Sequence, residues 1–155
     1  MKISGLELTD YKCFEHLVLK DLGNRVVLVG PNGCGKSAIL EAIAVLKEYG
    51  GTYDPNINIY QTHLPVLNKH TIAWKQNLPL PIRSDKPSAT IKMQLSLNEA
   101  ERAIVGGATE VEAEVRIERS HEAVRLTSHQ KVNDLFRHYD PASGIGVFDC
   151  ISPDR

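Results

Sequence analysis

Eight consecutive residues, GPNGCGKS at Gly30–Ser37, constrain this chain more than any other feature. They match G-x-x-x-x-G-K-[ST] at every fixed position. Such a loop needs a strand that stops before it and a helix that starts within it, because backbone amides and the positive end of a helix must converge on one anion. Gly33 and Gly35 let the backbone wrap where a side chain would obstruct. Lys36 has the reach for the outer phosphates, and the Ser37 hydroxyl can join a magnesium shell. With glycine at roughly 7% of residues, a chance match in a chain of this length arises in about one sequence in a few hundred. The flanks then decide. Before the loop, Val26-Val27-Leu28-Val29 is an uninterrupted apolar run, the pattern of a strand buried on both faces. After it, Ile39, Leu40, Ile43, Ala44 and Leu46 share one helical face, with Glu41, Lys47 and Glu48 off it. A helix from about Lys36 to Glu48 is expected, stopped at Tyr49-Gly50-Gly51. The ligand implied is a nucleoside triphosphate with magnesium, held by Gly30, Pro31, Asn32, Gly33, Cys34, Gly35, Lys36 and Ser37, with Ser37 on the metal.

The rest of the chain divides into two kinds of sequence. Residues 3–9 alternate as a strand, and LVLKDLG at 17–23 reads as a second strand ending in a turn at Gly23-Asn24. Residues 50–88 hold Pro55, Pro65, Pro79, Pro81 and Pro87, which forbid long regular elements, although VLNKHTIAWKQ can contain a short helix. A loop of that length within a compact domain is usually functional or mobile. Alternation returns at ATIKMQLSL, then LNEAERAIVGG reads as a short helix capped by Gly106. EVEAEVRIER alternates Val111, Ala113, Val115 and Ile117, with EAVRLTS as its partner. NDLFRHYD suggests a helical turn, and GIGVFDCIS a last strand before Pro153.

At 155 residues, with 42% hydrophobic and 24% charged residues, the chain has the balance of one ordinary globular domain. It has no apolar run long enough for a membrane span and no signal-peptide pattern, so a reduced, cytoplasmic setting is expected. Cys13, Cys34 and Cys150 are widely spaced and show no metal-ligand pattern, and the six histidines supply no paired ligands, so no metal site built from histidine or cysteine is expected. A formal net charge of −1 argues against a dedicated nucleic-acid-binding module, which would carry a basic excess. Cys34 is expected as a small space-filler in the loop, although a thiol at a helix N-terminus can be activated. Trp74 packs under the proline-rich stretch or marks a contact surface, and the residues leave that choice open.

The stretch ISGLELTDYKCFEHLVLKDL, followed after five residues by VLVGPNGCGKSAILEAIAVL, resembles the N-terminus of the RecF/SMC branch of ABC-type ATPases, which includes the double-strand-break-repair ATPases and the OLD-family defence ATPases. The resemblance rests on the Tyr11-Lys12-Cys13-Phe14 step and on Asn32-Gly33 inside the loop. It is strong over the first third and weaker at ATIKMQLSLNEAE and GVFDCISPDR. It implies an α/β P-loop NTPase fold, the first lobe of an ABC-type head, with a strand–P-loop–helix core and an antiparallel β-lobe. Residues 1–155 would be the N-terminal part of that head, with 50–88 as a loop insertion and the second lobe absent. It also implies ATP and Mg²⁺ as cofactors, with Tyr11, Lys12 and Phe14 near the adenine or ribose; Phe14 as core and Lys12 as a solvated charge are the plainer readings.

In such proteins two heads sandwich ATP, each P-loop facing a signature motif of its partner, so the resemblance implies a second lobe or head as partner, a homodimer in the full protein. DNA is engaged through the complete assembly, in DNA repair or anti-phage defence. This chain departs from the pattern after its β-lobe. Ser143-Gly144-Ile145-Gly146 follows Pro141 and precedes a strand-like run instead of opening a helix, and Asp149 is followed by Cys150 rather than a general base. Arg155 reads as a solvated terminus. The catalytic residues therefore stay unknown, and this chain alone is expected to bind ATP without turning it over. Two other readings remain open: a transporter cassette, for which Tyr11 has a spacing suited to stacking on adenine, and a non-hydrolysing nucleotide-sensing or assembly module.

Overall fold

The computed structural model describes residues 1–50, 80–119, 123–126 and 132, 134 and 135. Its frame is one antiparallel sheet built from β1 (Lys2–Tyr11), β2 (Phe14–Leu19), β3 (Ser88–Ser96), β4 (Glu110–Glu118) and β5 (Ala123–Leu126). The spatial order is β2-β1-β3-β4-β5. Helix α1 (Lys36–Gly50) packs on β3 and β4, and α2 (Glu99–Ile104) joins those two strands.

Alternation explains the sheet. On β3, Ala89, Ile91, Met93 and Leu95 are buried, while Lys92 and Gln94 point the other way. Met93 stands opposite Leu6 on β1 and Ala113 on β4, and Ile91 opposite Leu8 and Val115. Those rows meet Ala38, Ala42, Val45 and Leu46 of α1 in one core. Burying a large side chain of this kind contributes about 1.5–3 kcal/mol, so this face carries most of the stability. The opposite face is charged. Lys92 pairs with Glu114 at 3.5 Å, and that carboxylate, with Glu112 beyond it, raises the Lys92 pKa.

The α2 connection is specified locally. Asn98 Oδ1 accepts from Glu101 N at 2.9 Å, and Glu101 Oε2 accepts from Asn98 N at 2.8 Å, a reciprocal cap. The N-terminal amine of Met1 donates to the other oxygen of the buried Glu101. Gly107 N closes the far end on Arg102 O at 2.7 Å, with Gly106 at φ 74°, as a glycine C-cap requires.

Most sequence expectations meet these elements within a residue or two. β2 runs from Phe14 to Leu19 instead of from 17 to 23, because the two-residue turn Lys12-Cys13 starts the return strand early. One expectation fails. Val26–Val29 makes no ladder with any described strand, and Val26, Val27 and Val29 are 51%, 82% and 88% exposed. A continuous apolar run needs cover on both faces, and no described residue supplies it. The suggested helix in VLNKHTIAWKQ, Trp74, the strand in GIGVFDCIS, Ser143–Gly146, Asp149, Cys150 and Arg155 lie outside the described residues.

Candidate phosphate-binding site

The site is assembled where the β1–β2 turn meets the start of α1. Gly33 and Gly35 take φ of 83° and 98°, a left-handed backbone that residues with a Cβ rarely adopt. At Gly35 there is a second reason: an added Cβ would lie 2.8 Å from Cys13 Sγ and overlap the Phe14 ring. The hairpin tip therefore presses against the loop, and only glycine lets the two segments approach. Ile39 N bonds to Gly35 O at 3.1 Å, so the helix begins inside the motif. The amides that open α1 have no earlier helical carbonyl to pair with and can point at an anion.

Lys36 spans the loop. Its ammonium donates to Gly30 O at 2.7 Å and Pro31 O at 2.8 Å, and lies 3.7 Å from Cys34 Sγ. Ser37 is exposed at the first turn of α1. Lys12, Cys13, Asn32, Gly33, Gly35, Lys36, Ser37 and Ala38 line one open cleft of about 490 Å³, large enough for a polyphosphate. Of the residues expected to form the site, Asn32, Gly33, Gly35, Lys36, Ser37 and Lys12 thus share a wall. Gly30 and Pro31 stand behind it as acceptors for Lys36. The left-handed turns at Gly33 and Gly35, the ammonium across the loop and the hydroxyl at the helix start fit a magnesium–triphosphate. Lys36 would meet the phosphate charge and Ser37 would offer a ligand oxygen. Among the described residues, no group of three or more acidic, histidine or cysteine side chains could hold a metal without such a ligand.

Two side chains, Tyr11 and Cys34, behave differently from expectation, while Phe14 follows its plainer reading as core. Tyr11 is fully buried beneath the turn, so it cannot stack on a base in the cleft. That removes the residue on which the transporter-cassette reading leaned. Its hydroxyl is buried without a hydrogen-bond partner, and burial, then the nearby Glu41 charge, pushes its pKa well up. Phe14 is half-buried against the core and the loop glycine. Cys34 is exposed rather than space-filling, with its thiol turned toward the Lys36 ammonium.

Two residues outside the motif shape the site and carry little sequence signal. Glu41 meets the Lys12 ammonium; its only hint is its place four residues after Ser37, on the same helical face. Arg119 donates to Arg83 O at 2.9 Å, Lys86 O at 3.2 Å and Ile82 O at 3.3 Å, pinning the segment that runs beside the end of β1. No helix among the described residues is long and apolar enough to cross a membrane.

Comparison with known proteins agrees with this geometry. A family model described as the AAA ATPase domain matches residues 1–138. The DNA replication and repair protein RecF of Thermomicrobium roseum is 48% identical over 48 residues, a stretch that spans 30% of this chain and 12% of that protein. A solved chain from structural work on ATP-driven dimerization and DNA-stimulated activation of SMC ATPases superposes with a TM-score of 0.55 at 19% identity, covering 98% of this chain and 81% of that one. The fold is that of an α/β P-loop ATPase, in the form of an N-terminal RecF/SMC-type head lobe. With the match extending over most of its length, the chain belongs to the AAA ATPase domain family.

Proposed function

We propose that this chain binds ATP with Mg²⁺ at Gly30–Ser37 and serves as the nucleotide-holding lobe of a RecF/SMC-type ATPase. The observation that carries the reading is the joint placement of Gly35, Lys36 and Ser37. The left-handed Gly35 is packed against the β1–β2 turn, the Lys36 ammonium crosses the loop, and the Ser37 hydroxyl stands at the helix start, all on one cleft. The amides of Gly33, Cys34, Gly35 and Lys36 cradle phosphate oxygens, Lys36 neutralises their charge, Ser37 holds the metal and Lys12 flanks the polyphosphate. Hydrolysis belongs to the complete head. The exposed Val26–Val29 run supports a second lobe or head as partner, since a strand before a P-loop is stable only when both faces are covered. DNA repair is the favoured setting, supported by the RecF relative, with anti-phage defence as the second.

Calorimetry with ATP and Mg²⁺ tests the site. Wild type binds, and Lys36→Ala loses about ten- to a hundredfold in affinity while keeping its melting temperature, because a charge-assisted contact is worth about 1.5–3 kcal/mol. Unchanged affinity in that variant would remove the assignment. Phosphate release by the isolated chain should stay far below about 1 s⁻¹; turnover above that rate would place a base within these residues. Duplex DNA should bind no better than about 10⁻⁵ M at physiological salt. Sub-micromolar, ATP-independent binding in fluorescence anisotropy would mean that the lobe carries its own DNA site.

A further inference from the structure

The cleft is closed on one side by a lysine that the P-loop motif does not contain. Lys12, in the β1–β2 turn, sits at φ 50° and Asp10, near the end of β1, at φ 51°, two left-handed residues that carry side chains. Such backbone costs of order 1 kcal/mol or more at each position and persists only where the surroundings enforce it. Here they do. Lys12 N donates to Pro81 O at 2.8 Å, Arg83 N donates to Asp10 O at 3.1 Å, and Tyr11 bridges Ile82 between them. The enforced turn delivers the Lys12 side chain to the wall that holds Asn32, Gly33, Lys36 and Ser37. Its ammonium lands on Glu41, one helical turn beyond Ser37.

The pair itself does not explain the strain. Its side chains are 35% and 26% exposed, and ion pairs that wet contribute little to stability. A cation held at the edge of a phosphate cleft by a carboxylate on the same helix face as the metal-binding serine has another use. We propose that Glu41 is a positioning residue that competes with bound phosphate for Lys12: when a nucleoside triphosphate enters, the Lys12 ammonium exchanges the Glu41 carboxylate for a phosphate oxygen. The strength of the Lys12–Glu41 pair then sets the affinity for the triphosphate. Magnesium suits the exchange, since the released carboxylate faces the side of α1 that carries Ser37. No bond is made or broken in the exchange, only ionic contacts. This inference rests on the P-loop reading given above and adds a residue to it.

The test is a double-mutant cycle read by calorimetry with ATP and Mg²⁺: wild type, Glu41→Gln, Lys12→Met and the double variant. Removing a carboxylate near phosphates tightens binding in any background by simple repulsion. Competition adds a second effect that exists only while Lys12 is present. Glu41→Gln should therefore tighten ATP by about threefold more in the Lys12 background than in the Lys12→Met background, the size expected for a partly exposed pair. Equal tightening in both backgrounds overturns the exchange, because then Glu41 acts through repulsion alone. Weaker binding by Glu41→Gln overturns it too, because Glu41 would be supporting Lys12 instead of competing for it. Glu41→Ala serves as a second removal of the carboxylate if the glutamine variant folds poorly. A wild type that binds no ATP, with Lys36→Ala indistinguishable from it, brings down the P-loop reading and this inference together, whereas additive effects on measurable binding bring down only this one.

Discussion

The strand face of β3 and the run Val26–Val29 contain similar residues in opposite situations. Ile91, Met93 and Leu95 are each 0% exposed, while Val27 and Val29 are 82% and 88% exposed. The difference lies in pattern and company. β3 alternates, so one helix-covered face satisfies it, and β1 and β4 flank it within the same lobe. The valine run is apolar at every position, so it needs neighbours on both faces, and the lobe as described provides none. Described neighbours cover the β3 face, and none covers the valine run. The candidate phosphate cleft lies at the end of the uncovered run, on the helix that packs on β3 and β4.

The largest effect should come from cutting into the covered face of β3. Met93→Ala should cost about 2–5 kcal/mol in urea denaturation of the 155-residue chain, since a cavity opens among Leu6, Ala113 and α1. A loss under about 1 kcal/mol would mean that this core is loosely packed and that the contrast drawn here is overstated.

Next in size is Tyr11→Phe, which probes the junction. The Tyr11 hydroxyl is buried without a partner, so its removal should leave the chain as stable or raise stability by about 1 kcal/mol. The pH dependence has a definite sign. The folded-state pKa of Tyr11 is raised above the ordinary value of 10.0, so folding favours the neutral phenol. Its contribution is intact below pH 10 and is lost as pH rises above that value. Denaturation midpoints measured from neutral pH upward should therefore fall less steeply above pH 10 in Tyr11→Phe than in wild type. Parallel profiles would show that the hydroxyl reaches water.

The smallest effect sharpens the comparison most. Val27→Asp should change the stability of the isolated chain by no more than about 0.5 kcal/mol, as for an exposed position. A loss of several kcal/mol would reveal that Val26–Val29 is covered within this chain after all, and the distinction between the two segments would fail.

The residues determined by themselves whatever depends on neighbours in the chain. GPNGCGKS announces the loop because phosphate cradling needs glycines, a lysine and a hydroxyl at fixed spacing. The alternation at Ala89–Leu97 and Val111–Ile117 announces two strands because successive side chains point to opposite faces. The α2 cap was readable at its end, where Gly106 supplies the left-handed turn; its start, the Asn98–Glu101 box, carries the familiar spacing of a reciprocal cap. What the tertiary structure alone decided concerns pairs far apart. Tyr11, placed near the adenine or ribose by the family resemblance, is instead buried in the core. Lys12 reaches Glu41 across 29 positions because Pro81 and Arg83 force the turn between β1 and β2. Val26–Val29 has the composition of a buried strand, but burial is a property of what lies around a segment. Periodicity records which side of a residue seeks cover; only the folded surroundings determine whether the cover is there.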